Sequence, residues 1–295
     1  MKKNLLLGLL QLLGHQDWIR YGIRDRIICI FYKPGISHDF EVNFFGFRYK
    51  GNLNSYLDWV IYFYGAYEKY ELFLLRDLIQ NKSRSIFIDI GSNVGQHSLF
   101  MSKYCSCIHA FEPYEPVRRQ LEFNIRHNGI SNIVVHNVGL GDKDCELDYF
   151  MPTGSNTGTG SFVTLYAKDN NKFFGKLPVV NADNYISKLR LEKLDLIKID
   201  VEGFEKNVLI GLKDTIFEYR PIIFMEFSTQ TRNSLSNSNE LMSMLPKNYN
   251  IKKVQTSKPF FFFFNKPGYR YVDFNSNVSY CNLLLFPQER LKEIL

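Results

Sequence analysis

The sequence predicts an α/β fold in which a mostly parallel sheet is covered by helices on both faces. From Ser85 onward, short apolar runs alternate with longer stretches whose apolar residues recur at helical spacing. The first apolar run, at residues 86–90, leads directly into a glycine-rich turn that ends at Gly95. A chain of 295 residues with 45% hydrophobic residues also has enough apolar material for a large core.

The elements of this core are predicted in chain order from the same alternation. An apolar pattern of helical spacing at residues 66–80 precedes the first strand. The runs of apolar residues then predict strands at residues 86–90, 107–111, 132–136, 194–200 and 221–227. The amphipathic stretches between them predict helices at residues 95–104, 114–128, 183–190 and 203–213. Two later apolar runs, at residues 249–254 and 280–286, predict further strands at the edge of the sheet.

Two stretches rich in small polar residues predict loops. The first, at residues 151–160, follows a predicted strand near residues 145–150. It could close over a substrate or serve only as a connection, and both alternatives stay open. The second loop is predicted at residues 229–239, which are rich in Ser and Asn.

Residues 1–66 are predicted to form a separate N-terminal extension, followed by the main domain at residues 67–295. Residues 2–14 predict an amphipathic helix, because their apolar run is far shorter than the ~20 residues of a membrane-spanning helix. Such a helix could pack on the domain, on a partner subunit or on a membrane surface. Residues 29–32 and 42–49 are predicted to be short strands, with a turn at Pro34 and Gly35 between them.

Charge and cysteine content exclude few classes of function but disfavour some. The net charge of +6 is spread along the chain without a long basic run, which disfavours nucleic-acid binding. Binding to an anionic substrate or to an anionic membrane surface stays possible as an alternative. The five cysteines include no Cys-x-x-Cys pair, and Cys105 and Cys107 are too close for a zinc knuckle. We therefore expect reduced thiols, a cytoplasmic protein and no metal.

The turn after the first strand has the pattern Asp-x-Gly-x-x-x-Gly, formed by Asp89, Gly91 and Gly95. A strand, a tight glycine turn and a helix N-terminus form the arrangement with which α/β folds cradle adenosine-containing ligands. Asp89 stands where a dinucleotide-binding fold has its first glycine. A carboxylate there would repel a pyrophosphate, but it suits the amino group and sulfonium of S-adenosylmethionine.

Further polar residues follow the next strands. Glu112 lies 23 residues after Asp89 at the end of the second strand, an offset typical of an acid that binds ribose hydroxyls. Pro113 fixes the turn behind it. Asp200 and Glu202 end the fourth strand, and Glu226 ends the fifth.

Two of these motifs together resemble the FkbM family of S-adenosylmethionine-dependent methyltransferases. They are Asp-Ile-Gly-Ser-Asn-Val-Gly at residues 89–95 and Lys-Ile-Asp-Val-Glu-Gly-Phe-Glu at residues 198–205. The resemblance extends from about Tyr67 to about Pro287. It implies a class I Rossmann-like methyltransferase fold, with a mostly parallel seven-stranded sheet and an antiparallel C-terminal hairpin. The chain departs from the family pattern at residues 180–183 and at His97, where relatives often have an aromatic residue.

The resemblance also implies roles for individual residues. Asp89 would hold the amino group of the cofactor, Glu112 its ribose, and residues 137–139 its adenine. The full set of expected cofactor contacts is Tyr67, Glu68, Asp89, Gly91, Ser92, Asn93, Gly95, Glu112, Pro113, Asn137, Val138, Gly139 and Asp200.

The expected catalytic residues are Asp200, Glu202, Glu226 and His97, since a carboxylate or imidazole can orient an acceptor hydroxyl and take its proton. Alternatives stay open for each of them. Glu202 or Glu205 could only cap the following helix, and His97 could be a packed helix residue. Asp200, Glu202 and Glu226 could hold a divalent metal, although none is predicted.

The function predicted from these observations is an O-methyltransferase that uses S-adenosylmethionine, releases S-adenosylhomocysteine and acts on a hydroxyl of a small molecule or glycan. One alternative is a cofactor-binding scaffold without activity. Another is a methyltransferase for proteins or nucleic acids, but the Asn/Asp-Pro-Pro-Tyr/Phe signature of amino-group methylation is missing. The phenylalanines at residues 260–264 are expected to alternate between the core and an exposed face, which would allow a homodimer contact.

Overall fold

The computed structural model describes residues 2–80, 82, 84–153, 160–163, 171–235, 238–275 and 280–294. In these residues the strands are β1 (Asp39–Phe44), β2 (Phe47–Asn52), β3 (Ile86–Ile90), β4 (Cys107–Phe111), β5 (Ile133–His136), β6 (Gly139–Gly141), β7 (Cys145–Pro152), β8 (Asn171–Asn181), β9 (Leu196–Ile199), β10 (Ile222–Phe227), β11 (Tyr249–Phe260), β12 (Phe264–Asp273) and β13 (Cys281–Pro287).

The helices of the same described ranges are α1 (Lys2–Gly14), α2 (Tyr21–Phe31), α3 (Tyr56–Tyr64), α4 (Lys69–Asp77), α5 (Gln96–Met101), α6 (Glu115–His127), α7 (Ala182–Ser187), α8 (Glu205–Gly211), α9 (Lys213–Tyr219), α10 (Thr229–Ser234), α11 (Ser238–Ser243) and α12 (Leu291–Ile294). A 3-10 turn at Gln288–Arg290 leads into α12. No helix of the described residues is long and apolar enough to cross a membrane.

Within the described residues, eight strands form the main sheet in the order β5-β4-β3-β9-β10-β13-β11-β12. The first five of these are parallel, and β13 pairs antiparallel with both β10 and β11. This is the strand order of the class I methyltransferase fold, in which one antiparallel strand, here β13, is inserted next to the parallel strands. The order confirms the predicted fold class. Strand β12 is an additional strand beyond the predicted seven.

The strands are almost continuously apolar because helices cover both faces of the sheet. Successive residues enter opposite cores: Phe87 and Leu196 pack on one face, while Ile88 and Ile197 pack on the other. Lys198 is the charged exception in β9, where all four residues are buried. Strands β4 and β9 lie on opposite sides of β3, so the order in which the strands are added reverses at β3. This reversal leaves a crevice beyond the carboxyl end of β3.

Two predictions for the N-terminal region are wrong. Residues 29–32 form no strand, since helix α2 includes residues up to Phe31. The buried residues of α2, Arg24 and Ile28, are four positions apart and therefore lie on one helical face. Residues 42–49 form two strand ends rather than one strand, because Phe45 and Gly46 have positive φ and make the hairpin turn between β1 and β2.

The predicted loop at residues 229–239 is also wrong, because helix α10 begins at Thr229. Ser228 and Thr231 form a reciprocal capping box, so polar residues that suggested a loop instead start a helix. The other possible loop, at residues 151–160, lies mostly outside the described residues, which omit 154–159.

The expected alternation of the phenylalanines at residues 260–264 is wrong as well. These residues form the tip of the β11–β12 hairpin, where Phe260 pairs with Phe264 across the turn. All five side chains are exposed, from 37% for Phe264 to 76% for Phe262. A turn has no buried face, so strand alternation does not apply to it.

The β1–β2 hairpin is attached to the main domain by the buried carboxylate of Asp58 in α3. This carboxylate accepts hydrogen bonds from the Tyr49 hydroxyl at 2.7 Å, the Asn52 backbone N–H at 2.8 Å and the Gln120 amide at 3.0 Å. Gln120 belongs to α6, so one side chain joins three elements. The division of the chain near residue 66 stays a prediction, and residues of α1 and α3 belong to the same apolar core as β3.

We predict that Asp58→Ala lowers the free energy of unfolding by about 2–4 kcal/mol, because it leaves the buried Tyr49 hydroxyl and the half-buried Asn52 N–H without their acceptor. Urea denaturation measures the difference. The control is Glu192→Ala at an exposed position, which should change the free energy by less than about 0.5 kcal/mol. Equal effects of the two substitutions would contradict the role of Asp58.

Candidate functional site

A cavity of about 370 Å³ lies at the carboxyl ends of β3, β4 and β9. Its volume is within the range of ligand pockets, and its position is the crevice where doubly wound sheets bind ligands. Most of the residues predicted from the sequence line it. They are Tyr67, Glu68, Gly91, Ser92, Asn93, His97, Glu112, Pro113, Asp200, Glu202 and Glu226.

The remaining predicted residues do not line this cavity. Gly95 directly precedes α5 with a φ of 81°, and a Cβ there would lie 2.0 Å from Leu121 Cδ1, so its role is close packing of the helix. Asn137 is exposed, and Val138 packs against the core that contains Ile88 and Ile197. Gly139 pairs with Val179 in a separate three-stranded sheet of the order β6-β8-β7. The adenine contacts expected of residues 137–139 therefore stay a prediction.

Asp89 is fully buried behind the cavity. Its Oδ2 accepts a hydrogen bond of 2.6 Å from the Ser98 hydroxyl, and its Oδ1 lies 3.9 Å from the Lys198 ammonium. Oδ1 is buried and has no hydrogen-bond partner among the described residues, and the expectation that Asp89 holds the cofactor's amino group, directly or through water, stays a prediction. Its charge acts on the cavity through Lys198, which does line it.

The glycine turn brings two strand ends into contact. The N–H groups of Gly91 and Ser92 both donate to the Phe111 carbonyl at 3.1 Å, which joins the end of β3 to that of β4. Gly91 has a φ of 79°, and a Cβ at this position would lie 1.9 Å from the Asp200 carbonyl oxygen. Only glycine satisfies both constraints.

Glu112 is held between the turns that follow β3 and β4. Its carboxyl oxygens accept hydrogen bonds of 2.9 Å from the backbone N–H groups of Asn93 and Tyr114. Burial raises the pKa of Glu112 to about 7, although both hydrogen bonds oppose the shift. The carboxyl group therefore has a fixed position at the cavity wall.

Lys198 is the one cationic side chain among the described residues that line the cavity. Its ammonium lies 3.0 Å from Asp200 Oδ2, and only 3% of its side chain is exposed. Burial lowers the pKa of Lys198, but Asp200 and Asp89 outweigh burial and hold the pKa above its ordinary value. The lysine is therefore charged and fixes the orientation of the Asp200 carboxylate.

Glu226 faces the same carboxylates without a compensating cation. Burial raises the pKa of Glu226 to about 10, and the charges of Asp200 and Glu202 add to the shift. Its Oε2 is buried and has no hydrogen-bond partner among the described residues. At neutral pH this carboxyl is protonated, so it can donate a hydrogen bond but is no base in the free protein.

Glu68 and Glu71 form a second acidic pair near the cavity, which Glu68 lines. Burial raises the pKa of Glu68 well above its ordinary value, and the neighbouring Glu71 adds to the shift. Glu71 is anchored by a hydrogen bond of 2.7 Å from the Asn282 amide in β13.

His97 lies in the first turn of α5 and is 6% exposed. Burial, followed by the nearby Lys198 charge, lowers the pKa of His97 well below its ordinary value, so the ring is neutral. Its Nε2 atom is buried and has no hydrogen-bond partner in the described part of the chain. A neutral imidazole in a cavity wall can accept a proton from a bound hydroxyl.

Glu205 has a structural role at the start of α8, as the capping alternative for this residue expected. Its Oε1 accepts the backbone N–H groups of Val201 and Gly203, each at 3.1 Å, and its Oε2 accepts the Thr231 hydroxyl at 2.6 Å. It holds the turn after β9, in which Glu202 has a φ of 51°.

Several cavity residues were missed by sequence reasoning. Gln96 donates to the Tyr67 carbonyl at 2.7 Å and accepts its N–H at 3.1 Å, which fixes the backbone of Tyr67. Lys198 had a visible signal, since it is a lysine within an apolar strand. Aromatic side chains from distant segments complete the wall, and no local pattern marks them: Tyr56, Tyr149, Phe162 and Tyr280.

Comparison with known proteins relates this site to a family. A family profile described as Methyltransferase FkbM domain matches residues 89–252, more than half of the 295 residues. The chain belongs to the FkbM methyltransferase family. The match begins at Asp89 and includes the ends of β3, β4, β9 and β10, which carry the acidic residues of the cavity.

Two curated proteins are similar to part of this family member. AMB antimetabolite synthetase AmbE of Pseudomonas aeruginosa is 27% identical in an alignment 173 positions long that covers 47% of this chain and 8% of that protein. Methyltransferase 1 of Beauveria bassiana is 30% identical in an alignment 155 positions long that covers 44% of this chain and 59% of that protein. The chain thus spans less than two thirds of either relative. A solved FkbM methyltransferase from Methylobacillus flagellatus has 15% identity and a TM-score of 0.44, covering 96% of this chain and 59% of that chain.

The carboxylates of the cavity do not form a metal cluster. Within the described ranges, no group of three or more His, Cys, Asp or Glu residues is arranged to hold a metal ion.

We predict that Gly91→Ala destabilises the protein by more than about 3 kcal/mol, because a methyl group meets the Asp200 carbonyl in addition to the positive φ. Gly129→Ala is the matched control: its φ is 61°, but nothing lies within 4 Å of the added Cβ. It should cost only about 1 kcal/mol. Urea denaturation of both variants measures the difference, and equal costs would contradict the close contact between the two strand ends.

We predict that Glu226→Gln stabilises the protein at about pH 8 by roughly 1–3 kcal/mol. The raised pKa means that folded Glu226 holds its proton between its ordinary pKa of 4.5 and about 10, whereas the unfolded chain releases it. Wild-type stability therefore falls as the pH rises above 4.5, and glutamine removes this loss.

Denaturation at about pH 4 and about pH 8 tests the sign, since the advantage of Glu226→Gln should disappear at the lower pH. Glu192→Gln at an exposed position is the control and should change neither value. If Glu226→Gln raised the free energy of unfolding equally at both pH values, the raised pKa of Glu226 would be contradicted.

Proposed function

We propose that this chain is an S-adenosylmethionine-dependent methyltransferase that methylates a hydroxyl group of a small molecule or glycan. The observation that carries the proposal is the acidic cavity at the switch point of the sheet, in a member of the FkbM methyltransferase family. The cytoplasmic location and the homodimer expected from the sequence stay predictions.

The residues of the cavity suit this cofactor. Five carboxyl groups line it, from Glu68, Glu112, Asp200, Glu202 and Glu226, against the single ammonium of Lys198 among the described residues. A ligand that carries positive charge favours the ionised form of these carboxyl groups and can replace the protons that Glu226 and Glu112 hold in the free protein. Gly91 leaves the strand end without a side chain, and Glu112 presents a fixed carboxyl where ribose hydroxyls are bound in folds of this kind.

When bound, S-adenosylmethionine supplies a methyl group on a positively charged sulfonium. The protein then has to orient an acceptor hydroxyl and remove its proton. Asp200 is held by Lys198 and can orient the hydroxyl, while the neutral His97 can accept the proton at Nε2. Protonated Glu226 can donate a hydrogen bond to the acceptor.

The aromatic wall supports a small molecule or glycan as acceptor. Tyr56, Tyr149, Phe162 and Tyr280 supply aromatic side chains against which a sugar ring or a flat metabolite can pack. Nε2 of His97 and Oε2 of Glu226 are buried polar atoms without partners among the described residues, and a bound ligand can use them.

We predict that the protein binds S-adenosylhomocysteine and that Glu112→Ala weakens this binding by about 10-fold or more, because the ribose loses a hydrogen-bonding carboxyl. Calorimetric titration measures the dissociation constants. Glu115→Ala is the control, since this exposed glutamate pairs with Arg119 on the outer face of α6. Unchanged binding in Glu112→Ala would contradict the role of Glu112, and no binding by folded wild type would contradict the proposed activity.

We predict that His97→Ala lowers kcat for methyl transfer by about 100-fold or more, because the acceptor proton loses its base. Transfer of labelled methyl from S-adenosylmethionine to a panel of hydroxylated glycans and metabolites measures it. Binding of S-adenosylhomocysteine should be nearly unchanged, and His38→Ala at an exposed position is the control. Full activity of His97→Ala would assign the base elsewhere, and transfer only to amines would contradict the acceptor class.

A further inference from the structure

A second feature of the molecule is unrelated to the cavity: an apolar surface formed by the β11–β12 hairpin and the N-terminal helix. At the hairpin tip Phe260, Phe261, Phe262 and Phe263 are between 62% and 76% exposed. In α1, Leu5, Leu9 and Leu12 are between 55% and 68% exposed and recur at helical spacing. Large exposed apolar residues in clusters of this kind indicate a docking surface.

The two parts of this surface are joined by the segment that follows α1. The ring of Trp18, itself 50% exposed, stacks on Phe264 with ring centroids 5.5 Å apart. The Arg20 N–H donates to the Phe263 carbonyl at 2.9 Å, and the Asn265 N–H donates to the Trp18 carbonyl at 2.8 Å. The Arg20 guanidinium also donates to the Phe262 carbonyl at 3.1 Å. These contacts fix the hairpin tip against the segment that follows α1.

The charges near this surface are mostly positive. Residues 253–272 contain Lys253, Lys258, Lys266 and Arg270 and no acid, whereas Lys252 is paired with Asp273 at 2.6 Å. Residues 1–16 contain Lys2 and Lys3 and no acid, and the following Asp17 is paired with Arg24 and Lys69. Aromatic and leucine side chains flanked by basic residues match the boundary between the acyl chains and the headgroups of an anionic membrane.

We propose that the phenylalanine tip, Trp18 and the exposed leucines of α1 dock the protein on the surface of an anionic lipid bilayer. The protein lies on the membrane rather than crossing it, because the 13 residues of α1 are fewer than the ~20 that a spanning helix needs. The phenylalanine rings enter the acyl boundary, and the basic residues of the hairpin face the lipid headgroups.

A second copy of the chain fits this surface less well. In a symmetric dimer the same patch meets itself, which would bring the basic residues of two hairpins together. The chain also has a net charge of +6, so that contact would oppose like charges. An anionic membrane instead complements them.

Vesicle flotation with the 295-residue chain tests the proposal. Wild type should float with vesicles of phosphatidylcholine and phosphatidylglycerol in equal amounts, and much less with phosphatidylcholine alone. The double variant Phe261→Ser/Phe262→Ser should bind the anionic vesicles at least about 10-fold more weakly, because two rings no longer enter the acyl boundary. Lys266→Glu should weaken the binding and reduce its dependence on salt.

Helix α9 offers a matched control for both changes. Phe217 in this helix is 72% exposed, and Lys213 is exposed four residues before it. Phe217→Ser and Lys213→Glu should leave vesicle binding unchanged. Equal losses in the hairpin and control variants would overturn the proposal, as would wild type that binds neither vesicle or binds both equally.

Sedimentation velocity without lipid tests the alternative that the hairpin tip is a contact between two copies of the chain. Self-association of wild type that is lost in Phe261→Ser/Phe262→Ser, together with no vesicle binding, would show that the tip is a contact between copies and would overturn the proposal. The measurement does not use methyl transfer, so its outcome is independent of the proposed catalytic function.

Discussion

The buried ammonium of Lys198 is the interaction on which the rest of the site depends. It lies between Asp200 at 3.0 Å and the fully buried Asp89 at 3.9 Å, at the point where β3 and β9 run side by side. A buried carboxylate without a partner is strongly unfavourable, so each charge of this group makes the others tolerable. The same contacts orient Asp200 toward the cavity and connect the end of the glycine-turn strand to its neighbour.

One lysine does not neutralise all the carboxyl groups that the fold brings together. Burial raises the pKa of Glu226 to about 10 and that of Glu112 to about 7, and neighbouring carboxylates add to both shifts. The free protein therefore holds protons that a positively charged ligand can replace. This is the physical link between the arrangement of the strands and our proposal of a sulfonium-containing cofactor.

Much of the central sheet could be predicted because strands buried on both faces are apolar throughout, and acids or glycines mark their ends. The turn from Asp89 to Gly95 and the acids Glu112, Asp200 and Glu226 were visible for that reason. The burial of Asp89 behind the cavity was not visible from the sequence. The sequence shows the order of the residues, but it does not show that Lys198 lies between Asp89 and the cavity-lining Asp200. The aromatic residues of the wall come from separate segments, and only the folded chain brings them together.

Predictions failed where a short pattern had two structural meanings. Four apolar residues at 29–32 suit a strand or one face of a helix, and the packing of Arg24 and Ile28 selects the helix. The five phenylalanines at 260–264 suit a strand, but the hairpin reverses its direction within them. Serine and threonine residues favour loops and helix caps alike, and at Ser228 the reciprocal hydrogen bonds with Thr231 favour the cap.

The most direct test of the central claim is a crystal structure of the protein with S-adenosylhomocysteine. Our account predicts density for the nucleoside in the cavity at the ends of β3, β4 and β9, with the ribose against Glu112 and the sulfur on the side of Asp200. A nucleoside bound elsewhere on the molecule, with this cavity empty, would contradict the account.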